Sequence, residues 1–108
     1  MNKMFTEDDL KVIKIKKFYL GDNIIYFKEC MLLNPYIIDD NFMGVKDETY
    51  GLFVHSETRK QLIKDIKTYL KFMYETYIIN DTNDKLTERA KQFKKLYLKN
   101  TYEIQGDS

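Results

Sequence analysis

In 108 residues this chain has one cysteine, one proline, one histidine, four glycines and no tryptophan. Each scarcity closes off a class of protein. A lone Cys30 forms no internal disulfide and no thiolate metal cluster, and it suits a reducing compartment. The few glycines fall into neither G-x-G-x-x-G nor G-x-x-x-x-G-K-[ST], so no phosphate cradle and no nucleotide cofactor are expected. Zinc-ligand spacing is missing as well. No apolar run approaches the ~20 residues needed to cross a bilayer. The N-terminal MNKMFTEDDL lacks an apolar stretch and carries three consecutive acids, unlike a secretory signal. A cytoplasmic protein with no membrane partner is the expectation. The formal net charge is only +1, which gives weak drive toward polyanions. Charge is uneven, however: seven lysines face ten acids through residue 57, and eleven basic residues face seven acids after it.

What the chain does have is aromatic bulk, with nine tyrosines and seven phenylalanines, and a clear order of local signals. A chain of this length is most simply one domain, residues 1–108. Residues 1–10 are polar and read as a flexible arm. Strands fill residues 11–54. The first, 11–20 (KVIKIKKFYL), alternates apolar residues with lysines, and the alternation slips between Ile15 and Phe18, as at a bulge. Gly21, Asp22 and Asn23 make a turn, and 24–33 (IIYFKECMLL) is a second strand, stopped by Asn34 and Pro35. Residues 36–48 give no decisive pattern: Tyr36 to Ile38 fits a short strand or a packed loop, and the acidic clusters fit turns. The third clear strand is 49–54.

A polar break then leads into a long helix, 58–79. Thr58 and Gln61 fit a capping box, with the Thr58 hydroxyl on the Gln61 N–H and the Gln61 side chain returning to Thr58. Leu62, Ile66, Tyr69, Leu70, Met73 and Tyr77 form one apolar stripe. Tyr74, Phe72 and Ile78 fall off it and suggest a second apolar face, the candidate for binding a partner. Residues 80–84 form a polar linker. A second helix, 86–100, follows with Leu86 pinning its entry, Thr87 as cap, and Ala90, Phe93, Leu96 and Tyr97 facing inward. Residues 103–108 read as a frayed tail. Strands followed by helices predict an α+β fold: one three-stranded, mainly antiparallel sheet with two helices on one face.

Candidates for chemistry are few. His55 has no converging nucleophile and acid, although Ser56 and Glu57 adjoin it, so a structural or exposed histidine is expected and an enzyme is not. Cys30, among apolar neighbours, reads as a small hydrophobe. The clusters Asp39-Asp40-Asn41 and Asp47-Glu48 lack EF-hand spacing, so no metal site is assigned. Lys91, Lys94, Lys95 and Lys99 on the second helix, with Tyr97 and Tyr102 as stacking surfaces, would serve nucleic acid. A solvated helix face explains those lysines more simply, and nucleic-acid binding is the second reading.

The unit GLFVHSETRKQLIKDIKTYL resembles the strand-to-helix unit of HicB-like antitoxin domains. Thr58 stands at the family's cap position and Gln61 replaces its acid. Leu62 stands where a small residue is more usual, and Ser56 where glycine is common. Such antitoxins usually add a helix-turn-helix or ribbon-helix-helix segment, and neither occurs here. The end NDKLTERAKQFKKLYLKN resembles those of small bacterial and mobile-element proteins sharing this unit. The resemblance implies a non-catalytic interaction module, an antitoxin-like or phage-type inhibitory factor. Its partner would be another protein, or a second copy paired through an open sheet edge.

Overall fold

The computed structural model describes residues 5–79 and 87–106. The fold is α+β and is built on two antiparallel three-stranded sheets that share one core. Strands β1 (Ile13–Leu20) and β2 (Asn23–Leu33) form a hairpin, and β6 (Thr101–Ile104) adds to the free side of β2. The second sheet is a meander of β3 (Tyr36–Asp39), β4 (Phe42–Asp47) and β5 (Leu52–Ser56). The single sheet expected from the sequence is therefore two. Pro35, buried after Asn34, ends β2 without ending the run of strands.

The local chemistry explains each turn. In the β1–β2 hairpin Leu20 pairs with Asn23, so the loop is the two residues Gly21 and Asp22, and Gly21 takes φ 62°. Asp39 closes the β3–β4 turn by accepting from the N–H groups of Asn41 (2.8 Å) and Phe42 (3.1 Å). Asp47 does the same for Thr49 (2.9 Å) and Tyr50 (3.3 Å) before β5. The acidic clusters are thus turn formers whose carboxylates satisfy backbone donors. Among the described residues, no group of three or more His, Cys, Asp or Glu is placed to hold a metal ion.

The slip in β1 is a true register break. Ile15 pairs with Met31, but Lys17 pairs with Tyr26, so four residues of β2 stand against Lys16 alone. Inward-facing positions change phase across it, from Ile13 and Ile15 to Phe18, all of them buried.

Helix α1 (Arg59–Tyr74) continues into a π-helical segment, Glu75–Ile79, the last described residues before 80–86. Its N-cap is Thr58, whose hydroxyl accepts from the Gln61 N–H at 3.1 Å. Only half of the expected capping box forms. Gln61 instead points its side-chain N–H at the Asp65 carboxylate, 2.7 Å away, a charge-assisted bond. Leu62, Ile66, Leu70 and Met73 are buried, and α1 packs on β1, β4 and β5, so it joins the two sheets.

Helix α2 (Glu88–Asn100) is capped by Thr87, which accepts from the Ala90 N–H at 3.1 Å. It packs on β2, on β6 and on the π-helical segment. β6 follows α2 without a connecting loop. Thr101 is buried and Tyr102 lies against Tyr26, and the first two residues of the expected tail are strand, with Glu103 paired to Ile25 and Ile104 to Ile24. Residues 5–10 are likewise packed. Asp8–Leu10 is a 3-10 turn, Phe5 and Leu10 rest on the core, and the Arg59 guanidinium donates to the carbonyls of Asp9, Lys11 and Val12. The 80–84 linker, Leu86 and residues 107–108 of the tail lie outside the described residues. No described helix is long and apolar enough to cross a membrane.

Candidate binding surfaces

The outer face of the second sheet is the first candidate. Strand alternation turns Leu52 and Ser56 to the core and leaves Phe53 and His55 outside. Phe53 is 57% exposed. The His55 ring stands edge-on to Phe42 at 5.7 Å and tilted to Phe53 at 6.1 Å. Tyr36 and Ile38 extend this surface on β3, and both are exposed. Gly44, paired with His55, makes the arrangement fit: a Cβ there would stand 2.8 Å from Ile38 Cδ1 and 3.1 Å from the Val54 carbonyl oxygen.

Between β5 and α1 the same surface dips into a groove of about 470 Å³ lined by Phe53, Val54, His55, Asp65, Thr68, Tyr69 and Phe72. The Tyr69 hydroxyl is held by the Gly51 carbonyl at 2.9 Å. At its other end Asp65 accepts from the Ser56 hydroxyl at 2.6 Å as well as from Gln61. Ser56 is buried and His55 is exposed on the opposite side of β5. The Ser56 proton is directed to Asp65, so these adjacent residues do not form a nucleophile and base of the kind hydrolysis requires.

The three residues proposed for a second helical face do not share one. Phe72 is 61% exposed and lines the groove. Tyr74 is buried, edge-on to Phe18 at 5.8 Å and to Tyr97 at 6.3 Å. It follows Leu70 by one turn, on the side of α1 where Tyr97 arrives. Ile78 is half-buried against the core. The sequence reading took His55 as structural or exposed and gave Phe42 and Phe53 no surface role, because a run of apolar residues does not show which face each takes.

The lysines of α2 lie elsewhere. Lys91 stands 3.7 Å from Glu88, Lys94 is half-buried, and Lys95 and Lys99 are exposed. Lys99 borders a cleft of about 550 Å³ between α2 and the register break of β2, lined also by Lys28, Cys30, Asp47 and Tyr50. Asn100 organises this cleft. Its side chain donates to the Tyr50 hydroxyl at 2.7 Å and accepts from the Glu29 N–H at 3.2 Å. Cys30 is half-buried there. Tyr97 is fully buried and cannot meet a base, and its hydroxyl has no hydrogen-bond partner among the described residues. Burial pushes that phenol well above its ordinary value, with Tyr50 adding to the effect. Burial also raises the hydroxyls of Tyr50, Tyr69 and Tyr74, and at Tyr50 the bond from Asn100 works in the other direction.

The fold is α+β, and the clefts described above open on its surface. The chain matches no family model, no curated protein and no solved structure.

Proposed function

We propose that this chain is a non-catalytic module that binds another protein through the outer face of its second sheet and the adjoining groove. The observation that carries this reading is the side-by-side exposure of Phe53 and Phe72 across the groove. The solvent face of an antiparallel sheet is ordinarily polar. A contiguous exposed apolar patch with a polar rim is the usual mark of a protein contact. Here the rim is Asp65, Thr68 and His55. The resemblance of the β5–α1 unit to HicB-like antitoxins supports an inhibitory partner-binding role of that kind. The open edge at β3 makes a second copy the first partner to examine.

The test compares the wild-type chain with a Phe53→Ser, Phe72→Ser variant. Sedimentation equilibrium reads self-association, and affinity capture from the native host followed by mass spectrometry reads other partners. The expected result is a dimer or a captured protein that the double variant loses while its melting curve is unchanged. A partner retained equally by both chains moves the interface away from this face.

A further inference from the structure

The outer face of the first sheet has a different chemistry. β1 turns Lys14, Lys16, Lys17 and Tyr19 outward. Adjacent residues of a strand ordinarily point to opposite sides. The register break after Ile15 removes that restriction, so Lys16 and Lys17 both join the outer face. Lys17 pairs with Tyr26 on β2, and Tyr26 pairs with Tyr102 on β6, which sets one row across all three strands. Along it the Lys17 ammonium stands 5.7 Å from the centroids of both Tyr19 and Tyr26. The Tyr26 and Tyr102 rings are stacked, 5.3 Å apart and 11° from parallel.

The row is a column of cation, ring and ring, and β6 is the edge strand, so the column is open beyond Tyr102. Tyr102 is 46% exposed and Tyr19 55%. Among the described residues, Lys14, Lys16 and Lys17 have no ion-pair partner, as is also true of Lys28, Lys60, Lys64, Lys67, Lys95 and Lys99, but these three stand together on one strand. Among the described residues, Asp22 is at the hairpin tip, Glu103 sits opposite Ile25 on the inward side of β6, and Glu29 lies in the β2 segment that stands against Lys16, with no ion pair to it. Cross-strand packing accounts for the contact between Tyr26 and Tyr102. It does not account for three unpaired lysines gathered on the strand beyond Tyr26.

We infer that this face binds single-stranded nucleic acid. A base extends the ring column at Tyr102 and a second meets Tyr19, while the β1 lysines neutralise the phosphates. Stacked rings beside cations suit unpaired bases, whose faces are free. A duplex hides those faces and would engage the lysines alone. The net charge of +1 is no obstacle, because the charge that matters is local. These lysines are not those of α2, and the surface is separate from that of Phe53 and Phe72, so either proposal can fail without the other.

The experiment is fluorescence anisotropy at low salt with labelled oligothymidylate and oligouridylate of about a dozen nucleotides, a duplex of equal length, and polyglutamate as competitor. The expected result is binding of one or both single strands over the duplex, with a log–log salt slope near −2 if three lysines each meet a phosphate at about −0.7 apiece. Preference between the two strands then identifies DNA or RNA. The Lys14→Gln, Lys16→Gln, Lys17→Gln variant should flatten that slope. Tyr102→Ile keeps a strand-forming side chain but removes the ring, and should weaken binding about tenfold. Tyr102→Phe should retain it, and Lys95→Gln with Lys99→Gln should change nothing. Melting curves confirm that the variants are folded. No single-strand binding, equal binding of duplex, full competition by polyglutamate, or indifference to Tyr102→Ile would each overturn the inference.

Discussion

The two sheets are alike inside and unlike outside. Inward, both supply apolar side chains that are almost wholly buried: Ile13, Ile15, Phe18 and Ile25 from the first, Met43, Val45 and Leu52 from the second. Outward, the first presents lysines and tyrosines with one exposed leucine, Leu32, and the second presents Phe53, His55, Tyr36 and Ile38 with one lysine, Lys46. The inner faces answer to one shared demand, to cover α1 and one another. The difference between the outer faces is what separates the two proposed surfaces.

If the sheets truly share one core, damage at their common helix should be the largest effect. Leu70 is fully buried on α1, and Leu70→Ala should cost about 2–5 kcal/mol. Urea unfolding followed by tyrosine fluorescence and by circular dichroism should stay a single coincident transition. Two separated transitions would show that the sheets fold independently.

The next contrast sets one glycine turn against the other. Gly21 and Gly51 have nearly equal positive φ, 62° and 63°. A Cβ on Gly21 meets nothing within 4 Å, but on Gly51 it stands 2.7 Å from Phe93 Cζ. Gly21→Ala should cost about 1 kcal/mol from backbone strain alone. Gly51→Ala should cost about 2 kcal/mol, because the half-buried Phe93 ring must also move. Equal midpoints in denaturant would mean that Phe93 gives way freely.

Thr58→Ala should cost about 1 kcal/mol, the usual loss of an N-cap, read as a shift of the same melt. An unchanged midpoint would mean that the Asp65 network with Ser56 and Gln61 anchors the helix start without the cap.

The smallest effect at neutral pH should come from Tyr97→Phe. The buried hydroxyl has no partner among the described residues, so its removal should be neutral or slightly stabilising. The sign becomes clear in alkali. Below about pH 10 both folded and unfolded chains keep the phenolic proton. Above it the unfolded chain releases the proton while the buried phenol holds it, and stability falls as pH rises. Tyr50, Tyr69 and Tyr74 act in the same direction. Tyr97→Phe should therefore lose less stability than the wild type between pH 10 and pH 11, as measured by urea midpoints.

Signals within a few residues of one another were legible in the sequence. Thr58 and Thr87 cap the helices, Gly21 makes the hairpin turn, and the slip after Ile15 is the register break. Features that depend on distant pairing were not legible. All of β3 is exposed, so it shows no alternation, and Gly44 interrupts the apolar pattern of β4. β6 has no turn before it, and becomes a strand because Tyr26 and Phe27 offer an edge some 75 residues back in the chain. Tyr74 was misplaced because its burial depends on α2. The site was less legible than the fold. The residues 72, 74 and 78 and the lysines of α2 were chosen from helix periodicity, whereas both candidate surfaces lie chiefly on sheet faces.

The junction between α2 and β6 bears on how the protein is made. A ribosome delivers β2 long before Thr101–Ile104 emerges, so the nascent chain carries the unpaired edge Ile24–Phe27 throughout translation of α1 and α2. α2 ends directly in β6, so the helix that docks against β2 also brings the closing strand to it. Premature termination at Asn100 would leave that edge open to a neighbouring chain on the polysome, and quality control would meet a sticky strand instead of a finished sheet.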